Sequence, residues 1–249
     1  MRLLEKANGM TSINFQRNQI LCSGPEGLPD SCEEGVILLI TAGLGDLAGV
    51  EVSEAERKRA SLMEGMTACR FLAARRLVRG TVSKLSGIPS VMIGLDLDSN
   101  GKPCLAGMDY HFSIAHSGKT VAVAVSRSEV GVDLESERQV DIPALARRFF
   151  SPEEAVFLGS HPERSHFFRL WTCREAAAKA DGRGLGRLLG QIKVATGRNP
   201  SGEAIDVTIG AESWIASHWP EPDGVHLALA FRKLPTLISW CDLRREVIL

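Results

Sequence analysis

The chain repeats three short segments in the same order, and this repeat limits the folds that it can adopt. The paired segments are residues 35–39 with 131–135, 69–75 with 173–179, and 120–125 with 226–231. In each half the first and third segments have the pattern of β-strands, and the second is alanine-rich with no helix breaker. Segments that recur in one order indicate two similar lobes of roughly 100 residues each, joined near residues 126–129.

We therefore predict an α+β fold with pseudo-twofold symmetry. Each lobe is expected to be a small antiparallel sheet packed on a long helix, with a ligand cleft between the lobes. The first lobe should cover residues 1–128, with residues 1–34 irregular apart from a short strand at 20–22. The second lobe should cover residues 129–249 and carry the chemistry described below.

Local patterns in the first lobe give further predictions. Ser53 and Glu56 have the spacing of a capping box, so a helix should begin there and run to about Leu85, with a break near Gly65 or Gly80. Residues 91–97 are predicted to form a strand. Five residues should mark the buried face of the helix, namely Leu62, Met66, Cys69, Ala73 and Leu77.

The second lobe contains acidic residues that can converge. Asp133 and Glu135 alternate with apolar residues, so they share one face of a strand. Glu175 and Lys179 lie four residues apart on one face of a helix. If the strand packs on the helix, three carboxylates and a lysine form a metal site suited to a phosphate-bearing ligand.

Each of these residues also has an ordinary structural interpretation. The two strand carboxylates could line a solvated face, and Glu175 with Lys179 could be a surface ion pair contributing roughly 0.2–0.5 kcal/mol. The repeat argues against this, because the corresponding residues of the first half are apolar, namely Ile37, Leu39 and Phe71. The fold therefore does not require the acids.

Composition narrows the class of protein. A formal net charge of −1 neither favours nor excludes nucleic acid, and no nucleic-acid partner is expected. Six widely spaced cysteines without a C-x-x-C pair suit reduced thiols in the cytoplasm. The first residues lack the apolar region of a secretory signal, and no run of 18 apolar residues suggests a membrane span. Neither a P-loop nor a G-x-G-x-x-G fingerprint is present.

Six ordered motifs resemble those of the 4′-phosphopantetheinyl transferases, in particular the double-lobed type that activates surfactin and enterobactin synthetases. Residues 131–135 match its G-[VI]-D-x-[ED] element, and residues 171–179 match W-[ST]-x-K-E-[AS]-x-x-K. The remaining elements are G-K-P at 101–103, the histidine element at 111–118, and R-F-F-[ST]-x-x-E at 148–154, followed by G-x-G-L at 182–185.

The resemblance implies transfer of 4′-phosphopantetheine from coenzyme A to a serine of an apo carrier protein, with release of 3′,5′-ADP. It implies Mg²⁺, with Mn²⁺ as an alternative, held by Asp133, Glu135 and Glu175. The residues implied to contact coenzyme A are Lys58, Arg70, Lys102, His116, Ser117, Asp133 and Lys179, with His116 on the 3′-phosphate. The implied catalytic residues are Glu175, Lys179 and Glu153, and either glutamate could take the serine proton.

Three positions depart from the family pattern. Arg174 replaces the signature lysine, Ala115 replaces a serine, and Phe71 replaces a threonine of some relatives. None of the three is a proposed metal ligand, so activity is expected. A catalytically weak carrier-binding module, or another Mg²⁺-dependent phosphotransferase or pyrophosphatase, is kept as the alternative. The expected partners are carrier proteins of peptide, polyketide or fatty-acid synthesis, and the expected state is a monomer without a membrane partner.

Overall fold

One long helix packs against each of two β-sheets. The computed structural model describes residues 15–19, 27–197 and 203–244. In chain order the strands are β1 (Phe15–Gln19), β2 (Val36–Gly43), β3 (Leu95–Leu97), β4 (Pro103–Leu105), β5 (His111–Ser117), β6 (Thr120–Ser126), β7 (Val130–Ser136), β8 (Ile192–Val194), β9 (Ile205–Ile209), β10 (Glu212–Glu221), β11 (Val225–Phe231) and β12 (Leu237–Asp242). The helices are α1 (Glu54–Ser61), α2 (Gly65–Ser86), α3 (Ile142–Phe149), α4 (Pro152–Ser160), α5 (Arg164–Asp181) and α6 (Leu185–Leu188).

The first sheet has the spatial order β1-β12-β2-β6-β5. Its strands β2, β6 and β5 are antiparallel, while β12 runs parallel to both β1 and β2. Helix α2 covers one face, where Leu77, Val78 and Val82 are buried against apolar strand residues. Strands β3 and β4 form a separate hairpin beside this lobe.

The second sheet has the spatial order β7-β11-β10-β9-β8, and all its pairings are antiparallel. Helix α5 packs closely on β7 because its facing residues are small. A Cβ atom added at Gly131 would overlap the carbonyl oxygen of Ala176, so only glycine permits this approach. The glycine that begins the strand motif thus fixes the distance between β7 and α5.

Side-chain hydroxyls join the two sheets where β5 lies beside β7. Ser113 Oγ accepts the backbone N–H of Val132, and Ser117 Oγ accepts that of Ser136, both at 3.0 Å. A third apolar core, which includes Leu39, Val132 and Trp240, lies where the inner faces of the sheets meet. The lobes are therefore held together by an apolar core and a line of polar contacts beside it.

The predicted fold class is confirmed: the chain is α+β, with two similar lobes that each pair a sheet with a long helix. The first sheet adds two parallel pairings to the expected antiparallel strands. Because β12 belongs to the first sheet, the sheets do not separate at a single point, and the division at residues 128 and 129 stays a prediction. None of the helices in the described part of the chain is long and apolar enough to cross a membrane.

The structure corrects the register of the repeat. Leu38 and Ile40 of β2 face α2, whereas Ile37 and Leu39 face the opposite sheet. Since Asp133 and Glu135 lie against α5, their counterparts are on the face of Leu38 and Ile40, one residue away from the predicted match. Apolar residues still occupy the equivalent face. The cysteine match is also wrong in burial, because Cys69 is exposed and Cys173 is fully buried.

Other local predictions had mixed outcomes. The capping box of Ser53 and Glu56 is confirmed, and the helix breaks before Gly65 rather than at Gly80. Of the predicted buried face, Ala73 and Leu77 are buried, but Leu62, Met66 and Cys69 are exposed. Leu62 lies in the break between α1 and α2, so one continuous helical face does not join it to the residues of α2.

Two predicted strands differ from those observed. Residues 91–97 contain a short 3-10 turn at Ser90–Met92 and strand only at Leu95–Leu97. Residues 1–34 are not wholly irregular, since β1 lies within them. The strand predicted at residues 20–22 falls outside the described residues.

Candidate active site

Three carboxylates converge between β7 and α5. One oxygen each from Asp133, Glu135 and Glu175 lies within 4.8 Å of the others. Strand alternation places the first two side chains on the face of β7 that meets the helix, and Gly131 lets the helix approach closely enough for Glu175 to join them. The structure therefore brings together the three residues predicted to hold a metal.

The electrostatics of this group favour a bound cation. Burial raises the pKa of Asp133, and burial together with the nearby Asp133 carboxylate raises the pKa of Glu175 to about 8. Asp133 Oδ2 is buried and has no hydrogen-bond partner among the described residues. An orphaned oxygen beside two further carboxylates fits a divalent cation, and an all-oxygen ligand set suits Mg²⁺ or Mn²⁺.

Lys179 lies one turn beyond Glu175 and partly balances this charge. Its Nζ donates to Asp133 Oδ1 at 2.7 Å, and a third of its side chain remains exposed. Glu135 is paired on its other side with Arg138. The lysine is thus held between the carboxylates and the solvent-accessible cavity described next.

A cavity of about 310 Å³ lies between the lobes and adjoins this group. The first lobe contributes residues 100–103 and 112–114, and the second contributes residues 178–179, Gly182 and residues 184–185. Lys102 donates from Nζ to the carbonyl oxygen of Ala180 at 3.1 Å, and burial lowers its pKa. The two lysines therefore place cationic groups on opposite lobes of one cleft.

The other predicted coenzyme A contacts lie on the first lobe. Arg70 donates from Nε to the carbonyl oxygen of Gly118 at 3.0 Å, which places it at the β5–β6 turn. His116 is exposed near that turn, and Lys58 is exposed on α1. Ser117 is occupied at the lobe contact, where its hydroxyl lies 2.9 Å from that of Ser136. Roles in binding coenzyme A stay predictions for all four residues.

Glu153 is not part of the carboxylate group. It is exposed in the first turn of α4. Its neighbour Glu154 is buried instead, completing a capping box with Ser151 and accepting two hydrogen bonds from Arg174. The Ser-x-x-Glu spacing of residues 151 and 154 indicates that cap in the sequence, and the catalytic role of Glu153 stays a prediction.

Arg174 has a structural position rather than one in the cleft. Its side chain is fully buried, and Nη1 donates to the carbonyl oxygens of Leu189 and Ile192 at 2.8 and 2.6 Å. With the ion pair to Glu154, these bonds tie α5 to α4 and to the start of β8. A lysine has no planar fork with which to make this set of contacts.

The two remaining departures also have structural surroundings. Ala115 is buried in the core between the sheets, on the same strand face as Ser113 and Ser117. A serine there would face the lobe contact rather than a ligand. Phe71 lies beneath the guanidinium groups of Arg59 and Arg75, at 5.3 and 5.1 Å from their central carbons.

Comparison with known proteins identifies the family. The pattern of the 4′-phosphopantetheinyl transferase superfamily matches residues 129–230. A 4′-phosphopantetheinyl transferase of Bacillus subtilis is 31% identical over 160 residues, which are 62% of this chain and 71% of the relative. The chain belongs to the 4′-phosphopantetheinyl transferase superfamily. Its family resemblance is thereby confirmed.

Further relatives in this superfamily match over a shorter length. The 4′-phosphopantetheinyl transferase psf-1 of Bacillus pumilus is 35% identical over 120 residues, or 47% of this chain and 51% of the relative. HetI of Nostoc sp. (strain PCC 7120) is 37% identical over 128 residues, or 48% of this chain and 54% of the relative. The chain thus spans about half the length of these two relatives. All three carboxylates and Lys179 lie within the family match, whereas Lys102 and His116 precede it.

Proposed function

We propose that this chain transfers the 4′-phosphopantetheine group of coenzyme A to a serine of an apo carrier protein. The observation that carries the proposal is the carboxylate group of Asp133, Glu135 and Glu175, which lies with Lys179 beside a cleft between the lobes. A magnesium ion held by these carboxylates would neutralise the pyrophosphate of coenzyme A. The transferase names of the relatives support the same reaction.

The residues of the chain would act on both ends of the displaced bond. The serine oxygen forms a bond to the phosphorus that carries pantetheine, and the bond to the bridging oxygen breaks, so that 3′,5′-ADP leaves with that electron pair. Lys179 is placed to stabilise negative charge on the departing phosphate. Lys102 on the other lobe would help to orient coenzyme A in the cleft.

The serine proton needs an acceptor, and position favours Glu175 over Glu153. Glu175 belongs to the carboxylate group, whereas Glu153 is exposed on α4. We expect Glu175→Gln, which removes a proposed metal ligand as well as the proposed base, to lose transfer by at least about 100-fold, and Glu153→Gln to retain it. Single-turnover rates at saturating coenzyme A measure both. Full turnover by Glu175→Gln would remove that residue as the base.

The deciding experiment mixes the chain with an apo carrier protein, coenzyme A and Mg²⁺, and follows the carrier by mass spectrometry. Gain of one phosphopantetheine group is the expected result. An unmodified carrier bound in a stable complex would instead indicate a binding module, and cleaved coenzyme A with an unmodified carrier would indicate a hydrolase. Carriers from peptide, polyketide and fatty-acid synthesis should be tested side by side.

We also propose that the protein acts as a monomer in the cytoplasm, without nucleic-acid or membrane partners. The two lobes supply both walls of the cleft from one chain, which supports the monomer. The five cysteines within the described residues are all free thiols, which supports a reducing compartment.

A further inference from the structure

A second cavity, of about 600 Å³, lies in the second lobe and is separate from the cleft between the lobes. Helices α4 and α5, the ends of β10 and β11, and Thr196 form its wall. Four of the six histidines of the chain line it, together with Arg169. Its described lining contains no aspartate or glutamate and none of the residues assigned to phosphopantetheine transfer.

Arg169 is the unusual member of this lining. The residue is only 9% exposed, and its Nη1 has no hydrogen-bond partner among the described residues. Among the described residues its guanidinium makes one hydrogen bond, a long one of 3.4 Å from Nη2 to the carbonyl oxygen of Thr196, and its central carbon lies 5.9 Å from the centre of the Phe157 ring. Within the described chain it forms no ion pair, and burial lowers its pKa. A buried guanidinium without a counterion is costly unless an anion joins it.

Two other arginines are buried among the described residues, and both have a structural role. Arg79 is paired with Glu56 and donates to backbone carbonyl oxygens, and Arg174 is paired with Glu154 in the same way. Both have a carboxylate partner, and neither faces the second cavity. Arg169 has the burial of these residues without a carboxylate among the described residues, which leaves its guanidinium available to an anion from outside.

The size and the walls of the cavity indicate what that partner is. A volume of about 600 Å³ is within the usual range for small-molecule sites and far larger than a bare ion needs. Phe157 and Pro220 provide apolar surface beside the guanidinium. The carboxylate of Glu137 does not fill the role, because it accepts from His226 Nε2, and the opposite ring nitrogen of His226 contacts His218.

We propose that this cavity binds a small organic anion, a carboxylate or phosphate carried on a compact apolar body, with Arg169 as its anchor. The guanidinium offers a forked pair of donors that matches the oxygens of either group. The site goes beyond the proposed transfer reaction and shares no residue with it, so failure of one leaves the other standing.

The test is calorimetric titration of the full chain, in a buffer free of phosphate and carboxylate, with benzoate, phenyl phosphate and neutral benzyl alcohol. We expect at least one anion to bind and benzyl alcohol not to bind. Arg169→Gln should weaken that binding about tenfold or more, because it removes charge-assisted hydrogen bonds. The matched control is Arg164→Gln, an exposed arginine of the same helix outside the cavity, which should bind as the unmodified chain does.

Comparison of the two anions identifies the headgroup, and equal binding of both would assign the site to oxyanions in general. Binding of neither anion, or equal binding by Arg169→Gln and the unmodified chain, would overturn the proposal. If Arg169→Gln does not fold, imidazole C–H signals of the unmodified chain decide. The signal of His166, which lines the cavity, should shift with the anion; a shift confined to His116, which lies outside it, would refute the site.

Discussion

At the scale of single residues, Asp133 has an oxygen without a hydrogen-bond donor in the described part of the candidate active site. One of its oxygens accepts from Lys179, while the other is buried without a donor among the described residues. Two more carboxylates stand close by, so the group is repulsive without a cation. Its stability should therefore depend on divalent metal.

We predict that Mg²⁺ raises the melting temperature of the chain. At one hundred times Kd the added stability is about 2.7 kcal/mol, or roughly 5–10 °C for a chain of this size. Asp133→Asn should abolish most of the shift without destabilising the metal-free protein, because it removes a buried charge. Differential scanning fluorimetry with Mg²⁺ or EDTA measures both. Asp206→Asn, an exposed residue on β9, is the control and should keep the full shift.

A second prediction concerns the pH dependence of the free energy of unfolding, and it rests on Glu56. Burial raises its pKa, but the hydrogen bonds from Arg79 and Ser53 outweigh burial and hold the pKa below the ordinary value of 4.5. A carboxyl with a lowered folded pKa contributes stability above its unfolded pKa, and that contribution is lost as pH falls through the folded value. The free energy of unfolding should therefore fall below about pH 4.5.

Glu56→Gln should reduce this acid sensitivity and lower the free energy of unfolding at pH 7 by about 2–3 kcal/mol, because Arg79 loses its counterion. Urea unfolding followed by circular dichroism between pH 3 and 7 (roughly the range over which carboxyls titrate) measures both. Glu54→Gln, exposed on the same helix, should match the unmodified chain. Equal acid sensitivity in Glu56→Gln would contradict the assignment.

At the scale of elements, Arg174 joins three pieces of the second lobe: α5, α4 and the start of β8. Arg174 stands where the family pattern has a lysine, and we infer that this difference affects packing. We predict that Arg174→Lys lowers the free energy of unfolding by about 3 kcal/mol, because a buried carboxylate and two carbonyl oxygens lose donors. Urea titration measures this loss, and Arg164→Lys should show none. Unchanged stability combined with weaker coenzyme A binding would place Arg174 in the cleft instead.

Sequence patterns predicted elements well where the relevant forces are local. Strand alternation and helical spacing were enough to bring Asp133, Glu135 and Glu175 together, and the capping box located α1. They failed on which face a strand presents, because short apolar runs such as residues 36–40 look alike in either register. Leu62 is exposed at the break between α1 and α2, and no sequence pattern specifies the angle between those helices.

Two features of the structure could not be predicted from local sequence patterns. Arg174 and Glu154 are 20 residues apart in sequence, and only the packing of two helices shows that they form a pair. Arg169 is one of many charged residues in the sequence, and its lack of a counterion within the described part of the chain depends on every neighbour in space. Both follow from tertiary contacts that composition and periodicity do not specify.

At the scale of the whole molecule, the two lobes depend on each other through β12. We predict that residues 1–128 expressed alone form an insoluble or non-cooperative species, because strand β2 then lacks its parallel partner β12. Co-expression with residues 129–249 should yield a soluble complex. Size-exclusion chromatography and thermal unfolding of each preparation measure this outcome. Cooperative unfolding of residues 1–128 alone would contradict this prediction, because it would show that the first lobe folds without β12.

The position of β12 also has a consequence for how the protein is made. Strand β12 ends at Asp242, so synthesis must reach that residue before β12 can pair with β2. Until then one edge of β2 has no partner strand, while the second lobe is still being synthesised. An open edge of buried apolar strand is a site for association with other chains. Slow translation between residues 43 and 237 should therefore lower the yield of soluble protein, and chaperone supply should matter most during that interval.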